Sequence, residues 1–363
     1  MKSKLALAVL VALVSSSTAY AAEIYSKDAN KLDLYGKVKA EHDFTTHGAS
    51  DNADATYARI GFRGETQIQK DITGFGQFEY NVPASKPEGS QDAAQTRLAF
   101  AGLDFNEAGS IDYGRNWGIA YDIGSYTDTL TEFGGDSYTK TDNYMTGRST
   151  GLLTYRNTKL VDGLSFGLQY QGKNEDKRNW KEANGEGFGT SLQYEFADTG
   201  LSVGAAYTNA KTTDAVGSYG YKVASGENAE MWTAGVKYDA NSVYLAATYA
   251  ETRNMTPITL KGYWADGDDY VAFADKTENL EVTAAYVFDF GLRPSVGYVQ
   301  SRQNIAGVGS DYATKYVQVG ASYYFNKNFN VDAAYQINLL DKELSTVGFD
   351  TADHVILGAT YQF

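Results

Sequence analysis

The last ten residues read His354-Val-Ile-Leu-Gly-Ala-Thr-Tyr-Gln-Phe363. Val355, Leu357, Ala359, Tyr361 and Phe363 share one face of an extended strand, and His354, Gly358, Thr360 and Gln362 take the other. A water-soluble sheet ends poorly on such a strand, because an apolar edge without a polar tail invites pairing with other chains. A transmembrane β-barrel ends well on it. The last strand closes onto the first and turns its outer face to lipid.

At the other end Lys2 and Lys4 precede an apolar run from Leu5 to Val14, then Ser15-Ser16-Ser17 and the small-residue site Ala19-Tyr20-Ala21. This pattern predicts a secretory signal over 1–21, cleaved before Ala22, and one barrel domain over 22–363. The run is too short for a membrane-spanning helix. With Lys2 and Lys4 removed, the 31 basic residues become 29 against 45 acidic ones, a net charge of −16. Such acidity argues against a nucleic-acid partner. There is no cysteine, so disulfides and thiol chemistry are excluded. A mean hydropathy of −0.40 is too polar for a helical membrane protein. A barrel escapes that test because every second residue faces a wet interior.

Period-two alternation runs the length of the chain. Leu32, Leu34, Val38 and Ala40 alternate with Asp33, Tyr35, Lys37, Lys39 and Glu41, and Ala58, Ile60 and Phe62 with Tyr57, Arg59 and Arg63. Short connections lie at 69–74, 104–109, 157–163, 196–200, 238–242, 288–292 and 325–329. Long polar ones lie near 44–56, 82–95, 116–147, 173–186, 208–230, 252–276, 301–314 and 339–352. Seven short and eight long connections in strict alternation predict an all-β, sixteen-stranded antiparallel transmembrane barrel. Phe75, Phe105, Phe196, Tyr238, Tyr244, Phe288, Phe290, Tyr324, Phe325 and Phe329 cluster beside the short turns, where an interfacial girdle belongs. Sixteen strands leave an aqueous channel.

The longest connection carries Asp128 and Glu132 four residues apart. On one helical turn they would share a face at a cost of a few tenths, about 0.2–0.5 kcal/mol, unless cations faced them. A solvated surface loop with two unrelated acids is the plainer reading of that spacing alone. Lys37, Arg59 and Arg97 sit between outward apolar neighbours, so alternation turns all three inward. Arg148 stands where the long loop returns to the next strand.

The stretches NKLDLYGKV, TYARIGFRGETQI, TRLAFAGL, DYGRN, TEFGGD, TYRN, VDGLSF, QYQGKN, VKYDANSVYLAA, FDFGLRPS, YYFNKN and the terminal YQF resemble the enterobacterial general porins, the OmpC/OmpF/PhoE group. The resemblance spans essentially the whole chain and fades in the outer loops. It implies a third loop folded inward, constricting the pore with Lys37, Arg59, Arg97 and Arg148 on the wall and Asp128 and Glu132 on the loop. Trp117 and Tyr121 match aromatic positions near that constriction. Thr131 stands where the family usually has proline, a departure expected to loosen the loop. The resemblance also implies a homotrimer latched by Glu88 of one subunit and Arg115 of the next. Outer-membrane lipid, lipopolysaccharide and, through Phe363, the barrel-assembly machinery are the further implied partners. Passive passage of small hydrophilic solutes with weak cation preference is the implied function.

Other functions fare worse. An enzyme would need a nucleophile and base, but His42, His47 and His354 are dispersed, and neither cysteine nor a G-x-S-x-G motif is present. No cofactor or metal is expected. A gated transporter would need a globular plug, for which no segment remains. A purely structural or adhesive barrel would conduct no ions. The strongest rival is a channel specific for a sugar or an anion, with Trp117, Tyr121, Tyr126 and Tyr138 as a sugar track.

Overall fold

The computed structural model describes residues 22–45, 53–87, 94–175, 178–214, 222–224, 226–305 and 307–363. The signal segment 1–21 and Glu88 therefore lie outside the described residues. Among these residues sixteen long strands form one closed antiparallel sheet. They are β1 (Asn30–Thr45), β2 (Tyr57–Gln69), β3 (Ile72–Pro83), β4 (Gln95–Asp104), β5 (Ser110–Trp117), β6 (Arg148–Asn157), β7 (Leu164–Gln171) and β8 (Gly187–Glu195). The circuit continues through β9 (Leu201–Lys211), β10 (Asn228–Ala240), β11 (Val243–Arg253), β12 (Lys276–Tyr286), β13 (Leu292–Ile305), β14 (Gly309–Asn326), β15 (Phe329–Asn338) and β16 (His354–Gln362).

Closure occurs where the terminal strand was expected to provide it. β16 pairs with β1 from Lys37 opposite Gln362 to Thr45 opposite His354. Gly36 and Phe363 exchange two backbone hydrogen bonds of 3.0 Å. A short strand, Ala22–Lys27, pairs with Asn30–Leu34 and extends the same edge of β1 below Phe363. Gly36 is required there: a Cβ would sit 2.8 Å from the Phe363 ring and closer still to the Arg59 carbonyl.

The barrel is inside out by the standards of a soluble protein, as the alternation demands. In β7, Leu168 and Tyr170 are 53% and 46% exposed while Gln169 and Gln171 are 3% and 0% exposed. Outward apolar residues meet lipid, and inward polar ones satisfy each other or line the lumen. Phe196, Phe288, Phe290, Phe325 and Phe329 stand exposed beside the short turns, as a girdle requires. Tyr244 does not belong with them. It is buried and donates its hydroxyl to the Tyr126 carbonyl at 2.6 Å. Tyr324 likewise lines the lumen rather than the lipid face. Nearness to a turn does not set direction; strand parity does.

On the long-loop side one connection differs from expectation. The polar stretch 301–314 is largely strand, with pairing carried out to Ile305 opposite Gly309. The reason is Ile305, which is buried with Ile258, Leu260 and Ala274 against Tyr270, Val347 and Phe349. Ile258 and Leu260 belong to a small hairpin, Pro257–Leu260 with Tyr270–Phe273, inside the loop after β11. A small apolar core between neighbouring loops thus holds β13 and β14 together beyond the barrel rim.

Candidate pore constriction

The segment between β5 and β6, residues 118–147, turns into the barrel instead of away from it. Its two ends are laced together, Gly118 N–H to the Gly147 carbonyl at 2.8 Å and Ala120 N–H to the Met145 carbonyl at 3.2 Å. A single helical turn, α1 (Tyr121–Gly124), follows. The chain then tracks the inner wall strand by strand. Ile119 N–H donates to Gln169 on β7 at 2.9 Å, and the Asp122 carboxylate accepts from Arg156 on β6 and Ser191 on β8, each at 2.5 Å. Glu281 on β12 accepts from the Thr127 hydroxyl at 2.6 Å and from Ser137 through both its N–H (3.0 Å) and its hydroxyl (2.5 Å). Arg293 on β13 donates to the Thr129 carbonyl at 2.9 Å, and Gln318 on β14 accepts from Phe133 N–H at 2.8 Å. Glu132 finally pairs with Lys39 on β1.

Wall glycines make room for this path. A Cβ at Gly167 or Gly189 would lie 2.6 Å from Ile119, and one at Gly204 2.5 Å from Ile123. Gly235 faces Ile123 and Tyr126, Gly297 faces Leu130, and Gly320 faces Thr131. Each loop side chain fills a notch where the strand has no side chain, so the wall is hollowed along one line to seat the insert.

Thr131, which stands where proline was expected, is tied to the wall. Its hydroxyl shares a 2.9 Å hydrogen bond with Ser295 on β13, a bond proline could not make.

The four expected wall cations lie on β1, β2, β4 and β6, and they are not equivalent. Lys37 and Arg59 both lie over the Tyr57 ring, 5.3 Å from its centroid. Arg97 donates through Nε to Glu79 on β3, and Arg59 Nε stands 3.8 Å from the same carboxylate oxygen. Arg148 lies over the Trp117 ring at 4.8 Å and donates to the Thr141 hydroxyl at 2.9 Å. Trp117 in turn stacks on Tyr121, whose hydroxyl donates to Asp128 at 2.6 Å. Asp128 is exposed to the lumen. Glu132, by contrast, is packed against the wall. Burial there pushes its carboxyl up to about 7, with Lys39 pulling the other way and Glu41 adding to the rise.

Three charged residues at this level were not singled out from sequence. Glu79 places a carboxylate within the basic wall, and Lys39 and Glu41 face Glu132. The signal was available, because all three sit on the inward register of their strands. Of the supposed sugar track, Tyr126 and Tyr138 are each only 3% exposed, turned from the loop onto the wall, and only the stacked Trp117–Tyr121 pair remains near the lumen. Arg115 forms a two-point pair with Asp142 of its own chain, at 2.6 and 2.8 Å, and donates to the Thr96 carbonyl at 2.8 Å.

A closed sixteen-stranded barrel with a charged insert across its lumen defines an outer-membrane channel. Comparison with known proteins then gives the family: residues 27–363 match the Gram-negative porin family, to which the chain belongs. It is 54% identical to outer membrane porin F of Salmonella typhimurium strain LT2 over 373 residues, and 50% identical to outer membrane porin N of Escherichia coli K12 over 390 residues. Both alignments cover 100% of each chain. The structure of Salmonella typhi OmpF in complex with daunomycin superposes with a TM-score of 0.86 at 52% identity, covering 94% of this chain and 100% of that one. OmpT of Vibrio cholerae, at 17% identity and a TM-score of 0.66, shares the fold. The protein is a general-diffusion porin of a Gram-negative outer membrane, a channel and not an enzyme.

Proposed function

We propose that solutes cross this pore through a transverse electric field set by Lys37, Arg59, Arg97 and Arg148 on the wall and by Asp128 and Glu132 on the loop. The observation that supports the reading is the path of residues 118–147 along the inner wall as far as β1, which leaves Asp128 open to the lumen and rests Glu132 against β1. Low-dielectric protein on both sides concentrates such a field. Small dipolar solutes align with it; bulky apolar ones must shed ordered water. Glu79 offsets part of the basic excess on the wall. The acidic chain as a whole draws cations to the vestibules, so the net preference is weakly cationic.

The same reading includes removal of residues 1–21, assembly as a homotrimer with Glu88 and Arg115 as its latch, contact with lipopolysaccharide, and delivery to the barrel-assembly machinery through Phe363. Close subunit approach is supported by the outer face of β2, β3 and β4, where Gly64, Gly74, Gly76 and Gly102 line a shallow hollow. Arg115 could serve a neighbouring Glu88 only while sharing its guanidinium with Asp142.

Single-channel recording of the folded protein in a planar bilayer under a salt gradient tests the reading. Conductance proportional to salt, in steps of three, with a small cationic reversal potential is expected. Saturating currents blocked by one sugar or anion class would overturn it in favour of a solute-specific channel.

A further inference from the structure

The two loop acids do not occupy equivalent positions. Asp128 opens to the lumen and is held by Tyr121. The Glu132 side chain is only 4% exposed and is ion-paired with Lys39 Nζ. That same ammonium lies 2.5 Å from the Glu41 carboxylate, and Lys39 and Glu41 are 12% and 13% exposed. Two carboxylates, one from the loop and one from β1, thus share a single cation. Gly358 on β16 borders the cluster, with its Cβ position 3.4 Å from Lys39 Cε and 3.7 Å from Glu132 Oε1, ordinary contact distances.

We propose that Lys39 is a specificity-determining residue of the pore: it clamps Glu132 to the β1 wall, withdraws that carboxylate from the transverse field, and leaves Asp128 as the acidic pole that permeating ions meet. The proposal rests on the transverse-field reading above. An ammonium in contact with a carboxylate turns a charge into a dipole, whose field falls off faster with distance than that of a lone charge. Lysine suits the position because a compact ammonium on a flexible stem can sit between two carboxylates. The clamp also ties the middle of the loop to the strand that closes the barrel.

The test is the cation-to-anion permeability ratio, read from reversal potentials of the intact trimer under a potassium chloride gradient at a pH about two units or more above the titration of Glu132, where its carboxyl stays charged even without Lys39. Lys39→Met should raise the ratio about threefold, the effect of a unit charge a few ångströms from an ion in a water-like dielectric. Glu132→Gln alone should move the ratio less than Asp128→Asn does. In the Lys39→Met background Glu132→Gln should have a larger effect than in the wild type, and Lys39→Arg, which keeps the charge, should restore the wild-type ratio. A merely structural role for Lys39 would not couple to position 132 in this way. Additive effects at 39 and 132 would overturn the clamp. So would a Glu132→Gln shift equal to that of Asp128→Asn, a comparison that holds even if Lys39→Met does not assemble. If Asp128→Asn itself leaves the ratio unchanged, the transverse-field reading fails, and the clamp with it.

Discussion

Trp117 and Tyr121 stack with ring centroids 3.9 Å apart and planes 10° from parallel. They form the middle of a chain that begins at the Arg148 guanidinium over Trp117 and ends where Tyr121 donates to Asp128. One wall cation and the exposed loop acid are therefore linked through two rings, which holds them apart as well as in place.

The Tyr121 hydroxyl favours the charged form of Asp128 and pulls its carboxyl down against the rise due to its surroundings. Tyr121→Phe keeps the stack and removes the donor. Burial already raises the Asp128 carboxyl, and loss of the Tyr121 bond that opposes it should raise its titration further. Cation preference should then fade at a higher pH than in the wild type, as followed by reversal potential across a pH series.

Replacing Asp128 with Asn and Glu132 with Gln together should shift reversal potentials toward anions, because the arginine wall then has no acidic counterpart across the lumen. An unchanged potential would mean that residues 118–147 do not face the ion path.

The position of Glu132 near 7 gives the pore a second pH response. An acid with a raised pKa is neutral below that value and charged above it. Lowering the pH from 8 to 6 (a window of about one unit either side, over which such a group changes charge) should remove negative charge from the Lys39–Glu41–Glu132 cluster and reduce cation preference. Glu132→Gln should abolish this step while leaving any titration of Asp128 at lower pH intact. A step that survives the substitution assigns the titration to another group.

Ile123 fills the space left by Gly204 and Gly235 and is fully buried. Ile123→Ala should cost about 2–5 kcal/mol of packing, borne by the docking of the loop more than by the barrel. The expected phenotype is a channel that assembles and resists heat in detergent nearly as the wild type does, but with larger open-channel current fluctuations. A quiet channel would show that the hydrogen bonds to Glu281 and Arg293 suffice to hold the loop.

Much of this is legible in the amino-acid sequence alone. The alternation that set Leu168 and Tyr170 outward and Gln169 and Gln171 inward is local, since each strand carries its own orientation in every second residue. Lys37, Arg59 and Arg97 could be turned inward for the same reason, while Arg148 could be placed only where the long loop returns to the next strand. What could not be read were the partnerships between elements distant in sequence. Nothing near Glu132 in sequence announces Lys39, and nothing near Arg97 announces Glu79. The zipping of β13 to β14 beyond the rim was also hidden, because Ile305 finds its partners in loops that follow β11 and β15. Tyr244 misled for a different reason: its place beside a turn suggested the girdle, while its parity had already turned it inward.

The glycines that seat the loop lie on inward positions, between neighbours such as Leu168, Val203, Val236, Val296 and Val319 that face lipid. The bilayer and the solute stream thus examine alternate letters of the same strands. The bore can therefore drift independently of the shell. A lineage could retailor what passes by exchanging a glycine and the residue that rests on it, while the surface that anchors the protein in its membrane stays as it was.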